Sequence, residues 1–294
     1  MTHPTELAAV RERLSLPLVR RVWRALAGVH PATSVERGFD LDSLAPYVPG
    51  TDVTAIDWAA SSRAGETIAR RYRGEQAAPT IVALDVSSTM RASAPSGETK
   101  IDVARDAARI IAYLASLRGD PFGLLLLGSR ENTWIPPRAG NAHAEASLRA
   151  GLSARPRGTA TDMVEAFTRL DVLCRKKSLI IAISDLVSLA TAHGVLARLA
   201  SRHTLAACLV SDRDPATIDD PLLVDVTLGI LDDVVVADPA ARAQARHIAA
   251  AERDRATSQL AAARVPHVST GGTTDTVDSL YRLFTREVPR VRQR

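Results

Sequence analysis

The sequence predicts an α/β protein built on a doubly wound, mostly parallel sheet with helices on both faces and an N-terminal extension. Three observations predict it. Apolar runs of strand length, such as residues 124–127 and 179–183, lack the alternation of a half-exposed strand, so they belong in a sheet covered on both sides. Stretches with helical spacing follow the strands, and this strand-then-helix order recurs along the chain. Two of the apolar runs end in carboxylates and hydroxyls, as expected of loops at the carboxyl ends of parallel strands.

Taken in order, residues 1–24 read as a basic amphipathic helix broken near Pro17, with Arg11, Arg13, Arg20, Arg21 and Arg24 among apolar residues. Residues 38–76 form a preamble rich in turn formers, with a strand over 67–73. Within it, Trp58 is expected to anchor a loop on the domain while Asp57 accepts backbone hydrogen bonds. Residues 80–85, bounded by Pro79 and a polar cluster, are too short for a core helix and rich in strand formers. Residues 97–118 carry Ile101, Ala104, Ala108, Ile111, Leu114 and Leu117 at helical spacing, which places Lys100, Asp102, Arg105, Asp106 and Arg109 elsewhere around that helix.

Residues 121–128 are a strand that the segment at Trp134 pairs with as an antiparallel edge, and 142–152 are a short helix. Residues 163–174 form a helix capped by Thr161 or Asp162. Strand 177–183 ends in Ser184-Asp185, one helix spans 187–202, and strand 203–210 follows. Residues 224–236 read as a hairpin around Gly229 and 240–263 as a long helix. Strand 265–269, a Gly271-Gly272 turn and helix 274–286 complete the chain, with Thr274 or Asp275 as the cap. This divides the chain into residues 1–76, a helix and extension, and residues 77–294, one sheet domain.

Composition excludes several classes. No apolar run approaches the roughly 18 residues of a membrane span, and the N-terminus has no secretory apolar region, so cytoplasmic residence is expected. The two cysteines, Cys174 and Cys208, sit in apolar contexts and support neither a disulfide framework nor a thiolate metal site. The net charge of +4 comes from scattered arginines, and with aromatics at only 4% a nucleic-acid surface is not expected. The seven histidines are scattered, none at ligand spacing, and His193 and His203 read as satisfied helix and strand-end residues. There is no phosphate-binding Gly-x-x-x-x-Gly-Lys-Ser/Thr loop.

The chemistry concentrates after residues 80–84. Asp85, Ser87 and Thr89 alternate, so all three can turn toward one point at a strand's carboxyl end. A carboxylate and two hydroxyls are hard oxygen donors, suited to Mg²⁺ or another hard divalent cation. Capping of the next helix by Ser87, Ser88 and Thr89 is the competing reading. Thr161, before a helix, and Asp185, after a strand, lie on loops converging on the same sheet edge.

Together, Asp85-x-Ser87-x-Thr89, Thr161 and Asp185 resemble the metal-ion-dependent adhesion site of the von Willebrand factor A fold, a Rossmann-type sheet. The resemblance implies that Ser87 and Thr89 bind Mg²⁺ through their hydroxyls, that Thr161 joins directly or through water, and that Asp85 and Asp185 hold coordinated waters. Tyr47-x-Pro49-Gly50-x-Asp52, Ile56-Asp57-Trp58, Arg63 and Arg71-Tyr72-x-Gly74-Glu75 are similar to the bacterial proteins grouped as domain of unknown function 58. These motifs span residues 38–185, with the remainder matching by topology. Ala45 and Thr54 stand where that family often has arginines, and the N-terminal membrane helices common in the family are missing from this sequence. The resemblance implies a non-enzymatic partner of a MoxR-type AAA+ ATPase in complex assembly or chaperoning, with a client protein supplying a carboxylate to the metal. The alternative is a metal-dependent phosphohydrolase with Asp85 as nucleophile. That chemistry expects a second acid two residues on, where this chain has Ser87.

Overall fold

The computed structural model describes residues 5–13, 21–22, 24–26, 41–46, 57–72, 78–128, 132–153, 162–213, 224–225, 229–230 and 239–287. Its elements, in chain order, begin with α1 (Glu6–Arg13), β1 (Leu41–Pro46), α2 (Trp58–Ala64), β2 (Ile68–Tyr72), β3 (Thr80–Asp85) and α3 (Lys100–Arg118). Then come β4 (Phe122–Leu127), β5 (Trp134–Arg138), α4 (Asn141–Ser153), α5 (Met163–Leu173), β6 (Leu179–Ser184), α6 (Leu186–Ala190), α7 (His193–Arg202) and β7 (Thr204–Val210). The short β8 (Val224–Asp225) and β9 (Gly229–Ile230), the long α8 (Pro239–Ala262), β10 (His267–Thr270) and α9 (Thr276–Arg282) follow.

The main sheet has six strands in the order β10-β7-β6-β3-β4-β5. All neighbours are parallel except β4 and the edge strand β5. The chain winds outward from β3 through β4 on one side and from β6 through β7 on the other. The reversal therefore falls between β3 and β6, which are hydrogen-bonded neighbours from Thr80 with Leu179 to Leu84 with Ile183. Crossover connections leave in opposite directions there, which opens a crevice at the carboxyl ends of those two strands.

β3, β4 and β6 are buried at every residue. That explains the missing alternation in their sequences, because both faces meet helices. Val82, Leu84, Leu124, Leu126, Ile181 and Ile183 pack on one face against α3, α4 and α9. Their neighbours Ile81, Ala83, Leu125, Ile180 and Ala182 pack on the other against α5, α7 and the end of α8. Each such Leu or Ile contributes roughly 1.5–3 kcal/mol through burial, so the three central strands form the most firmly held part of the fold.

Helix α3 has clear boundaries. Thr99 accepts from the Asp102 amide at its N-terminus, and Gly119 closes it at φ +72°, a left-handed conformation that glycine adopts without strain. Near the N-terminus, α1 rests on α3 and α4. The Glu145 carboxylate accepts from the Glu6 and Leu7 amides at 2.6 and 3.1 Å, adding to the Thr5 hydroxyl, which accepts from Ala8 N at 3.3 Å.

Several local expectations are corrected. The segment 187–202 is two helices, because the chain turns at Thr191 and Ala192 between α6 and α7. Residues 41–46, read only as turn-rich, pair antiparallel with β2. Asp57 does accept a backbone hydrogen bond, from Ala60 at 3.0 Å, but as the N-cap of α2. Trp58 is 72% exposed and anchors nothing among the described residues. Asp275 occupies the N-cap of α9 without a side-chain cap bond, its carboxylate accepting instead from Gly271 N at 3.1 Å.

Candidate functional site

The crevice between β3 and β6 collects the polar ends of both strands. β3 delivers Asp85 in full burial, and the chain then enters a short 3-10 turn over Ser88–Arg91. Ser87 occupies the cap position of this turn, yet its side chain makes no cap bond. Its hydroxyl instead lies 3.0 Å from the Thr89 hydroxyl, which donates to Asp185 Oδ2, also at 3.0 Å. The capping reading of these hydroxyls therefore fails, since neither is used to terminate a helix. They form a chain of oxygens from β3 to the loop after β6.

Asp185 divides its two oxygens between structure and site. Oδ1 accepts from the Ser188 amide at 2.7 Å and caps α6, while Oδ2 faces Thr89. Asp85 is held from behind. Ser87 N donates to Oδ1 at 2.9 Å and the Ser184 hydroxyl donates to Oδ2 at 2.6 Å. Burial nevertheless pushes the Asp85 carboxyl above its ordinary range, and the nearby charge of Asp185 adds to the push. Only the hydrogen bonds from Ser184 and Ser87 pull it back.

Thr161 lies outside the described residues. The adjacent Asp162 caps α5 through Glu165 N at 2.9 Å. The structure thus brings Ser87, Thr89 and Asp185 into one hydrogen-bonded group, with Asp85 directly behind Ser87.

Three participants were not anticipated. Ser184 closes the back of Asp85 and is fully buried. Lys100, expected on the polar side of α3, is buried at 2% exposure, with its ammonium 3.5 Å from Asp185 Oδ2 and 2.5 Å from Asp212 Oδ1. Asp212 follows β7 and so reaches the same sheet edge from a third strand. The available signal for Ser184 and Asp212 was position, since each ends or follows an apolar strand. Lys100 gave none, because the first turn of α3 is polar in sequence.

The donor set suits a hard divalent cation better than a soft one. Among the described residues no three His, Cys, Asp or Glu side chains come together in a way that could hold a metal. A cation here would be held by mixed hydroxyl and carboxylate oxygens, the donors that Mg²⁺ favours. The residues present fit such an ion. Asp185 and Asp212 share the single ammonium of Lys100, and Asp85 has no cationic partner among the described residues.

Residues 43–257 match a family model described as "Protein of unknown function DUF58", running well past the residues 38–185 that carry the sequence motifs. The chain is 29% identical over 253 residues to "Uncharacterized protein Rv1480" of Mycobacterium tuberculosis and to "Uncharacterized protein Mb1516" of Mycobacterium bovis. Both alignments cover 84% of this chain and 79% of the relative. Among solved structures, BatB from Bacteroides thetaiotaomicron aligns with TM-score 0.44 and 14% identity, covering 71% of this chain and 98% of that one. A von Willebrand factor type A protein from Catenulispora acidiphila aligns with TM-score 0.40 and 12% identity, covering 72% and 43% respectively. With a family match across most of its length, the chain belongs to the DUF58 family.

Proposed function

We propose that this protein is a non-enzymatic interaction module whose carboxyl-edge cluster holds Mg²⁺ or a similar divalent cation and offers it to a carboxylate of a partner protein. Ser87 and Thr89 would supply hydroxyl oxygens, and Asp85 and Asp185 would supply negative charge behind coordinated waters, with Thr161 a candidate fifth contributor. The observation that carries this reading is the chain of oxygens from Ser87 through Thr89 to Asp185, in which Ser87 makes no cap bond and Asp185 caps α6 only through its other oxygen. When bound, the cation would offset the negative charge that Lys100 leaves unbalanced and accept an acidic ligand at an open coordination position.

The resemblance to domain-of-unknown-function-58 proteins makes a MoxR-type AAA+ ATPase the proposed partner, in assembly or chaperoning of a client complex. The phosphohydrolase alternative receives less support. Asp85 is fully buried, and two residues on the chain carries Ser87 where that chemistry expects a second acid.

Isothermal titration with Mg²⁺ tests the metal directly. Wild type is expected to bind and Asp85→Ala to lose most of that binding; equal binding by the two would end the reading. Capture of the ATPase from extract is expected with Mg²⁺ and not with chelator. Capture that ignores chelator would leave the partnership but remove its dependence on metal.

A further inference from the structure

Lys100 is the least expected group in the cluster. As the first residue of α3 it stands where the helix macrodipole is positive, so a cation there is disfavoured by its own helix. Its side chain is also 3% exposed, and a buried ammonium without partners is strongly unfavourable. Both penalties must be offset by the carboxylates it touches, Asp185 at 3.5 Å and Asp212 at 2.5 Å. Asp185 Oδ2 is the same oxygen that accepts from Thr89, so the ammonium and the hydroxyl chain converge on one atom. Asp212 is different in kind. Its side chain is 60% exposed, on the segment after β7.

We propose that Lys100 is a built-in cation that fills part of the charge deficit while the site is metal-free, and that a divalent ion must compete with it for Asp185. Asp212 is the arm that draws the ammonium aside when the ion arrives. The inference rests on the metal-binding reading above and adds its regulation: affinity is set low by an internal competitor and restored by Asp212. An ion of charge +2 near Asp185 repels Lys100, and burial keeps solvent from screening that repulsion. A site arranged this way loads at higher cation concentration than its oxygens alone would dictate. It also remains folded when empty.

The experiment pairs Mg²⁺ titration calorimetry with thermal melts in chelator, on wild type, Lys100→Met, Lys100→Gln, Asp212→Asn and the double variant Lys100→Met/Asp212→Asn. Lys100→Met is expected to bind Mg²⁺ about tenfold more tightly, a difference of roughly 1.4 kcal/mol, and Asp212→Asn more weakly than wild type. In chelator, Lys100→Met is expected to melt below wild type, because Asp185 and Asp212 lose their counter-charge, and in saturating Mg²⁺ that order reverses. The double variant separates the competitor from a general charge effect. If Asp212 acts through Lys100, Asp212→Asn changes nothing once Lys100 is gone, whereas independent charge effects add. Lys100→Gln keeps a polar side chain at the position and carries the same expectations if the methionine variant does not fold. Wild-type binding with no tightening in either Lys100 variant overturns this inference alone. No Mg²⁺ uptake by any of the proteins overturns the metal reading, and this inference with it.

Discussion

The two edges of the central sheet solve the burial of charge in opposite ways. At the amino edge, Arg118 Nε donates to Asp120 Oδ2 at 2.8 Å, both side chains are fully buried, and the Thr80 hydroxyl donates to the same oxygen at 3.2 Å. Cation and anion meet directly there, although Asp120 Oδ1 is buried without a hydrogen-bond partner among the described residues. At the carboxyl edge Asp185 and Asp212 share Lys100, Asp85 has no cationic partner among the described residues, and burial holds the Asp85 carboxyl above its ordinary range. A closed pair fastens helix α3 to strands β3 and β4. An open deficit of positive charge is what a ligand site requires, and it lies where the winding of the sheet reverses.

The comparison breaks most severely at the closed edge. Replacing Arg118 by methionine leaves the Asp120 carboxylate buried without its cation, and removing one partner of such a pair typically costs about 3–5 kcal/mol. Urea denaturation of Arg118→Met is expected to register a loss of that size, unchanged by Mg²⁺ or chelator. A loss that Mg²⁺ reverses would mean the two edges are coupled and not separate.

At the open edge the effect should depend on metal. Thr89→Val removes the hydroxyl that links Ser87 to Asp185, and in chelator the loss is expected to be about 0.5–1.5 kcal/mol, the net worth of a hydrogen bond. With Mg²⁺ at a hundred times its dissociation constant, wild type should gain about 2.7 kcal/mol of stability. The variant should gain much less at the same concentration. A wild-type melting temperature that does not move with Mg²⁺ would remove the distinction between the edges.

The contrast also accounts for what the sequence made legible. The central strands were readable because each residue of β3, β4 and β6 meets a helix, so their apolar runs are unbroken. Asp85, Ser87 and Thr89 stood out because a polar cluster directly follows such a run. Lys100 was not readable, since Glu98, Thr99 and Asp102 make its surroundings polar in sequence and only the approach of Asp185 and Asp212 buries it. Strand β1 lacks β-branched residues altogether, and its pairing with β2 is a tertiary fact. The turn between α6 and α7 at Thr191 and Ala192 carries neither glycine nor proline, so helical spacing ran through it unmarked.

The smallest effect belongs to a second polar group near the amino edge, His203, which was expected to be satisfied and is only half so. Its Nδ1 accepts from Ser178 N at 3.3 Å, which places the proton on Nε2, and that buried nitrogen has no partner among the described residues. Burial lowers the His203 pKa, and the neighbouring Arg202 lowers it further, with Asp171 opposing both. A histidine whose folded value lies below its unfolded one binds fewer protons when folded. Its contribution to stability is therefore complete above about pH 6.5 and is lost as pH falls below that toward the folded value, by at most about 1.4 kcal/mol per pH unit. Replacing His203 by glutamine removes this titration, so urea stability measured from pH 7 down to pH 5 should fall less steeply than in wild type. Because the group lies at the edge away from the site, the change in slope should be the same in Mg²⁺ and in chelator. A slope that differs between the two would place the proton linkage at the carboxyl edge instead, with the open charge deficit and not with His203.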